Sequence, residues 1–321
     1  MESYARDIAP DAKPVPHYPP IVVNRAPRHN GSRLRVVLLN AAGGRHFREI
    51  AACLQRPRLR GADIVLLCEV SSKRQTASSP ARDVAAELGA MLGMSCAQIP
   101  EFGLSPDGVE IASHIGNAIL SSVPFDEVAA VAMHRPQTPL VWPVRMRKWR
   151  RIGTPTGLLT SVKFAGKQVA VGVAHLHSRC PPIERARQMD AYLESFPAAG
   201  RAIFGGDLNT TTTELSSRAL LWATVREMIG NPKRFHAPQA YEPLFEHLRE
   251  AGLKIDGVNV PNRPTFTFSG LIPRRMRPKL DWLAVRDLRP VAGSAAVVTP
   301  RSRILMRRLS DHDFVTVDLE L

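Results

Sequence analysis

A chain of 321 residues with 44% apolar content carries enough hydrophobic material for a substantial buried core, which excludes wholesale disorder. No run of about 18 consecutive apolar residues occurs, so no membrane-spanning helix is expected. A formal net charge of +14 points to a polyanionic partner, either nucleic acid or an anionic lipid surface.

The chain starts Met1-Glu2-Ser3-Tyr4-Ala5-Arg6-Asp7, without the basic start and apolar run of a secretory signal, and a cytoplasmic protein is expected. Residues 1–33 contain Pro10, Pro14, Pro16, Pro19, Pro20 and Pro27 and little apolar periodicity, so they read as an extended arm without catalytic groups. From Leu34 onward no low-complexity linker interrupts the pattern, and residues 34–321 read as a single catalytic domain. Leu34 to Leu39 is a short apolar run ending at Asn40, the pattern of a buried strand, and a helix is predicted from Phe47 to Leu54. Asp63 to Cys68 is a second buried strand that delivers Glu69 at its end. Residues 80–92 suit a helix with Val84, Leu88 and Leu92 on one face. Asn117 to Ser121 reads as a strand closed by Val123-Pro124. Leu158 to Phe164 and Gln168 to Ala174 flank Ala165-Gly166-Lys167 as a hairpin feeding His175.

A helix from Ile183 to Phe196 and a strand from Ala202 to Phe204 lead into Gly205-Gly206-Asp207-Leu208-Asn209. Helices near Ser216 to Ile229 and Glu242 to Ala251 precede strands at Trp282 to Val285, Ala295 to Val298 and Phe314 to Leu319. Short strands ending on polar residues, with helices between them, imply two packed sheets flanked by helices, the polar ends converging on one rim. Cys53, Cys68, Cys96 and Cys180 are far apart and form no CxxC pair, so neither a zinc ribbon nor a redox pair nor a disulfide is expected, and Cys53 and Cys68, in apolar surroundings, read as small buried hydrophobes.

Several of those strand ends carry groups suited to phosphodiester hydrolysis. That reaction requires a cation to neutralise the phosphoryl oxygens, a group that orients or deprotonates water, and donors for the transition state. Glu69 places a carboxylate where a buried strand emerges, and Mg2+ prefers one or two carboxylates plus water. Asp207 and Asn209, spaced by two, can point the same way on an extended segment, and the glycines before them permit a tight turn. Ser310-Asp311-His312 adds a carboxylate and an imidazole that titrates near neutrality, with Asp281 available to fix its tautomer. Each signal taken alone is also an ordinary turn or strand-end acid. Their conjunction is what carries weight.

In this order the motifs resemble the endonuclease/exonuclease/phosphatase superfamily, from about Leu34 to the C-terminus. They are the strand ending in Asn40, the Asp63–Glu69 strand, Gly116-Asn117-Ala118-Ile119-Leu120-Ser121, Ala174-His175-Leu176, Arg185 with Gln188, Gly206-Asp207-Leu208-Asn209, Pro264-Thr265-Phe266-Thr267, Asp281-Trp282 and Ser310-Asp311-His312. The resemblance implies a deoxyribonuclease-I-like four-layered α/β sandwich, with two mixed sheets between helices. It makes Glu69 the principal ligand of Mg2+, for which Mn2+ can substitute, with Asn40 and Asp311 in or near the metal shell. Asp207 would orient or deprotonate the attacking water and Asn209 would bind the scissile phosphate. His312, held by Asp281, would contact a phosphoryl oxygen or act as acid/base, and His175 would stabilise the transition state or assist the leaving group. Asn117 and Arg185 would contact substrate. Three departures affect substrate contact: Cys68 stands where the family has Gln, Ser122 where it often has Arg, and Thr156 where many members have Arg.

Basic clusters suggest which phosphodiester is cut. Arg274, Arg275, Arg277 and Lys279 precede Asp281, and Arg301, Arg303, Arg307 and Arg308 precede Asp311, so Arg274, Arg275, Arg277, Arg307 and Arg308 are expected to line a nucleic-acid groove. Arg145, Arg147, Lys148, Arg150 and Arg151 form a third cluster, with Trp142 and Trp149 able to stack on bases. The leading expectation is a nuclease for DNA or RNA. The alternatives are a phosphatase or phospholipase-type diesterase for inositol phosphates or sphingomyelin-like lipids, and an inactive scaffold of the same fold.

Overall fold

The computed structural model describes residues 18–25, 27, 31–73, 82–105, 111–135, 150–178, 180–210, 226, 229–267, 273–274, 277–302 and 307–321. Among the described residues fifteen strands follow in chain order: β1 (Ile21–Val23), β2 (Arg33–Asn40), β3 (Ile64–Lys73), β4 (Arg82–Asp83), β5 (Ser95–Ser105), β6 (Ser113–Ser121), β7 (Phe125–Ala132), β8 (Arg150–Gly153), β9 (Thr156–Phe164), β10 (Lys167–His175), β11 (Ala202–Asp207), β12 (Asp281–Arg286), β13 (Arg289–Pro290), β14 (Ala296–Val298) and β15 (Phe314–Glu320). Helices α1 (Phe47–Leu54), α2 (Val84–Leu92), α3 (Pro182–Leu193) and α4 (Leu244–Glu250) flank them.

The strands build two sheets. One runs β1-β5-β6-β3-β2-β15-β13, with β4, β8 and β14 attached at its sides, and the other runs β12-β11-β10-β9-β7. Both are mixed: β2 and β3 are parallel, as are β10 and β11, while the neighbouring pairings are antiparallel.

Alternation along each strand decides the layering, because successive side chains point to opposite faces. On β2, Val36 and Leu38 enter a core between the sheets that also takes Leu66 of β3, Leu158 of β9, Val171 of β10 and Ile203 of β11. Val37 and Leu39 face the other way, against Phe47, Ile50 and Leu54 of α1 and Val84 and Leu88 of α2. A third core lies outside the second sheet, where Phe204 and Trp282 meet Met189 and Tyr192 of α3 and Leu244, Phe245 and Leu248 of α4. Three cores between four layers give the α/β sandwich that the sequence implies. Among the described residues no helix is long and apolar enough to cross a membrane.

Several expectations change in detail. The helix predicted over 80–92 begins at Val84, because Asp83 caps it by accepting the Ala86 N–H; residues 80–81 lie outside the described set. The helix predicted near Ser216 to Ile229 also lies almost wholly outside it. The described part of the arm is held in place: Ile21–Val23 pairs with Cys96–Gln98 of β5, and the Asn24 amide bonds both the N–H and the carbonyl of Phe125 at the start of β7. Residues 18–25 thus tie the edge of one sheet to the edge of the other.

Candidate active site

Sheet register gathers the polar strand ends. His175 at the end of β10 lies directly beside Asp207 at the end of β11, which lies directly beside Asp281 at the start of β12. From the facing sheet, Asn40 ends β2 opposite Cys68 of β3. The Asn40 amide donates to Asp207 Oδ2 at 2.8 Å and to Glu69 Oε1 at 3.2 Å, while its own oxygen accepts the Ala42 N–H. One amide therefore holds two carboxylates side by side, one from each sheet.

β-Bulges aim the acids. The pairing of β3 with β6 slips between Leu67 and Val70, and Glu69 takes a left-handed φ of 52° at that slip. The pairing of β5 with β6 slips between Pro100 and Phe102, which leaves Glu101 as the extra residue. Gly116 of β6 is squeezed between the two bulged strands, and a Cβ there would stand 1.9 Å from the Ile99 carbonyl oxygen. Gly206 has a related function inside β11, where a Cβ would lie 1.8 Å from the Ala174 carbonyl. The glycines before Asp207 thus permit close approach of strands and are not part of a turn, contrary to the expectation from sequence.

Two His–carboxylate arrangements result. His312 Nδ1 lies 2.8 Å from Asp281 Oδ2, and its Nε2 is 3.6 Å from Asp207 Oδ2. Burial alone would depress the imidazole, but Asp281, then Asp207 and Asp311, outweigh it and hold the pKa up at about 10. His175 Nε2 sits 3.7 Å from both Glu69 and Asp207, and its Nδ1 is 3.7 Å from Glu101 Oε2. Here burial again opposes protonation, and Glu101, with Asp207 and Glu69, raises the group to about 9. Asp207 is 2% exposed; burial pushes its carboxyl up, Asp281 adds to that, and His312 and His175 pull against it, for a value of about 6.

The surrounding chain fixes this geometry. Ser310 Oγ donates to the Asn40 carbonyl, and Thr265 Oγ1 accepts the N–H groups of Leu280 and Asp281. Phe266 bridges to His312 and packs edge-on against its ring at 4.9 Å. Asn209 stands beside Asp207, but in a left-handed conformation (φ 49°) and not an extended one; its N–H returns to Asp207 Oδ1 and its amide donates to the Leu176 carbonyl.

Asn40, Glu69, His175, Asp207, Asn209, Asp281 and His312 are therefore brought together. Asp311 is exposed and stands outside the two groups whose ligand atoms lie within 4.8 Å of one another, Glu69-His175-Asp207 and Asp207-Asp281-His312. Arg185 is a correction. It is fully buried, donating to both Glu242 oxygens and to the Cys180 carbonyl, so it braces α3 and cannot reach a substrate. Asn117 is also fully buried, its amide bonding the Thr156 carbonyl across the sheets. Arg308 is committed to Asp313 and the carbonyls of Ser310 and Asp311. Lys279 is 1% exposed, its Nζ on the Val260 carbonyl and over the Trp282 ring, so it does not belong to a basic surface.

Arg274 and Arg307 are exposed, and Arg277 bonds Thr267 Oγ1. Arg275, Arg303, the side chains of Arg150 and Arg151, and the stretch with Trp142, Arg145, Arg147, Lys148 and Trp149 lie outside the described residues. Of the three departures, Cys68 Sγ contacts the Ala174 carbonyl, Ser122 Oγ bonds Asp63, and the Thr156 hydroxyl bonds the Thr154 carbonyl. Glu101 is the residue sequence reasoning missed: it follows a proline outside any clear apolar run, and its inward aim comes from a bulge.

No protein-family model matches the sequence, and no curated protein matches it. Among solved structures, the chain is similar to an endonuclease/exonuclease/phosphatase from Beutenbergia cavernae DSM 12333, at 20% identity and TM-score 0.57, over 91% of this chain and 72% of that one. It is similar to D. rerio TDP2 complexed with single strand DNA product, at 17% identity and TM-score 0.54, over 91% and 100% of the two chains. The human Nocturnin catalytic domain with bound sulfate anion gives 16% identity and TM-score 0.54, over 94% and 96%. Two mixed sheets between helix layers, matched by these structures over nine-tenths of its length, identify the fold of this chain as that of the endonuclease/exonuclease/phosphatase superfamily.

Proposed function

We propose that the chain is a divalent-metal-dependent phosphodiesterase that cuts nucleic acid. The observation that carries this reading is the pair of carboxylates, Glu69 and Asp207, held by the single Asn40 amide between two imidazoles. Hard oxygen donors in that number suit Mg2+, with Mn2+ able to replace it. The buried Asp281 Oδ1 and Glu101 Oε2, each without a hydrogen-bond partner among the described residues, add to a concentration of negative charge that a cation would relieve. Glu69, with Asn40 beside it and Asp311 at the lip, would hold the ion, which supplies charge neutralisation at the phosphoryl oxygens.

The remaining work falls to side chains. Asp207, with a pKa of about 6, is ionised at neutral pH yet basic enough to take a proton from water as its oxygen attacks phosphorus. His312 and His175, both kept protonated by their carboxylates, flank it and offer N–H donors. One N–H contacts a phosphoryl oxygen and the other returns a proton to the departing oxygen. Asn209, beside Asp207, would orient the phosphate. The net charge of +14 and exposed Arg274 and Arg307 suit a polyanion of either kind, and likeness to a structure holding single strand DNA product favours nucleic acid over lipid.

The test is turnover of supercoiled plasmid, single-stranded DNA, RNA, inositol polyphosphates and sphingomyelin, with Mg2+ and then with chelator. Asp207→Ala and His312→Ala should each cost about 10²-fold or more in kcat/KM. Activity that survives chelation, or that ignores these substitutions, would sink the mechanism. Turnover of lipid or inositol substrates alone would remove the nucleic-acid reading and leave the metal chemistry standing. Silence across all five substrates would favour a scaffold.

A further inference from the structure

We infer that the outer face of α1, next to the candidate active site, is a docking track for the phosphate backbone of a nucleic acid. The inference deepens the nucleic-acid reading above and rests on it.

The turn that leaves Asn40 runs through Gly43 and Gly44 into Arg45, and α1 begins at Phe47. Its inner face, Phe47, Ile50, Ala51, Cys53 and Leu54, is spent in the core under the first sheet. Its outer face presents exposed Arg48, and Arg45, in the turn just before the helix, is exposed too. Arg82 on β4 is also exposed and approaches from the side; its guanidinium carbon and that of Arg48 lie 5.5 and 5.7 Å from the centroid of the Phe47 ring. Sharing one ring restrains two otherwise loose cations. Arg307, four residues before Asp311, reaches His46 Nδ1 at 3.3 Å and Glu49 at 3.4 Å, and the far end of α1 is tied to the same loop by Arg56 donating to the Arg301 carbonyl.

Arginines from three separate segments thus share one surface that begins at the catalytic rim. Glu49 faces His46 and Arg307 and so offsets Arg307, while Asp83 caps α2 and accepts from Gln98, which leaves Arg45, Arg48 and Arg82 as the open charge of the face. Such a gathering of like charge is complementary to a polyanion. α1 alone is about 12 Å long, enough for more than one phosphate of an extended strand.

The same charge would suit an anionic membrane, but a helix that lies on lipid needs an exposed apolar side. The large hydrophobic residues exposed among the described set are Ile21, Val22, Val23, Met91, Ile183, Ile229 and Tyr241, none of them on α1. Nucleic acid is therefore the occupant the surface fits.

The test measures binding of the full chain to a labelled single-stranded oligonucleotide of about 20 nucleotides, by fluorescence anisotropy in chelator, across a salt series. Arg45→Ala, Arg48→Ala and Arg82→Ala combined should weaken binding roughly 10- to 100-fold near 0.1 M salt and lower the slope of log K against log salt by about 2. The corresponding triple Lys variant keeps the charge without disturbing Phe47 and should stay within about threefold of the parent. A charge-matched control, Arg33→Ala, Arg187→Ala and Arg289→Ala, removes side chains that are 62%, 59% and 79% exposed away from this face.

Equal loss in the control would mean that net charge alone binds, and unchanged binding in the Ala triple would mean that the face is idle; either overturns the proposal. Loss of binding to phosphatidylserine vesicles with oligonucleotide binding intact would hand the face to a membrane and overturn it as well. No turnover is needed for this readout. A chain that binds through α1 yet cleaves nothing would end the phosphodiesterase reading and leave the docking track in place.

Discussion

At the scale of single residues, the site depends on one carboxylate acting on two neighbours. Asp281 raises the pKa of His312 and also that of Asp207. Asp281→Asn should therefore move both limbs of the pH profile of kcat/KM to lower pH. Under the proposed mechanism the acid limb would come from ionisation of Asp207 near 6 and the alkaline limb from loss of the His312 proton near 10. Limbs that stay in place on a chromogenic diester would contradict the assignment. The sign for stability follows the same shift. His312 in the fold lies above its free value of about 6.5, so its pairing stabilises fully below that pH and fades as pH rises through about 10. Arg185 makes the opposite point. The family resemblance implies a substrate contact for it, and only its partner Glu242, 57 positions away and invisible to local pattern, makes it a brace. Arg185→Met should cost about 3–5 kcal/mol in urea denaturation by stranding the buried Glu242 charge, and adding Glu242→Leu should restore most of it. The KM of the single variant should stay near that of the parent, because the side chain touches no substrate.

At the scale of elements, what was legible is what short-range pattern encodes. Apolar runs ending at Asn40, Glu69, His175 and Asp207 marked β2, β3, β10 and β11 because buried strands alternate or saturate with Val, Ile and Leu. β5 went unread because Gln98, Pro100, Glu101 and Gly103 interrupt its pattern. β1, with three residues, is too short to show a period. The bulges were also illegible, since a register slip belongs to a pair of strands and not to either sequence alone. Gly116 was noticed only as part of a motif, yet it has a specific geometric task between two bulged neighbours. Gly116→Ala drives a methyl into the Ile99 carbonyl oxygen, and overpacking of this kind costs about 1–3 kcal/mol. It should also shift Glu69 and Glu101 together. The expected result is a larger proportional loss of activity than of stability, measured by denaturation and diester hydrolysis on the same preparation; loss of stability alone would mean the bulges do not aim the acids.

At the scale of the whole molecule, the fold places a destabilising charge cluster where two stable layers meet. Glu69 and Glu101 come from the first sheet, Asp207 and Asp281 from the second, and the imidazoles of His175 and His312 face them. The tight cores on both sides hold these acids together against their repulsion, and burial keeps water from screening them fully. An ion bound by the folded state alone stabilises it by RT ln(1 + [L]/Kd), about 2.7 kcal/mol at a hundredfold excess over Kd. For a domain of this size that corresponds to a rise in Tm of at least several degrees on adding Mg2+, reversed by chelator. Glu69→Gln separates the two effects because it removes a ligand and a repelling charge at once. Without metal the variant should melt above the parent, since one fewer carboxylate crowds Asp207, and with Mg2+ its Tm should not move. A parent indifferent to Mg2+ would argue against a metal site. A Glu69→Gln variant that still gains stability from Mg2+ would move the ligand to Asp207 and Asp281, the other grouping in which carboxylates converge.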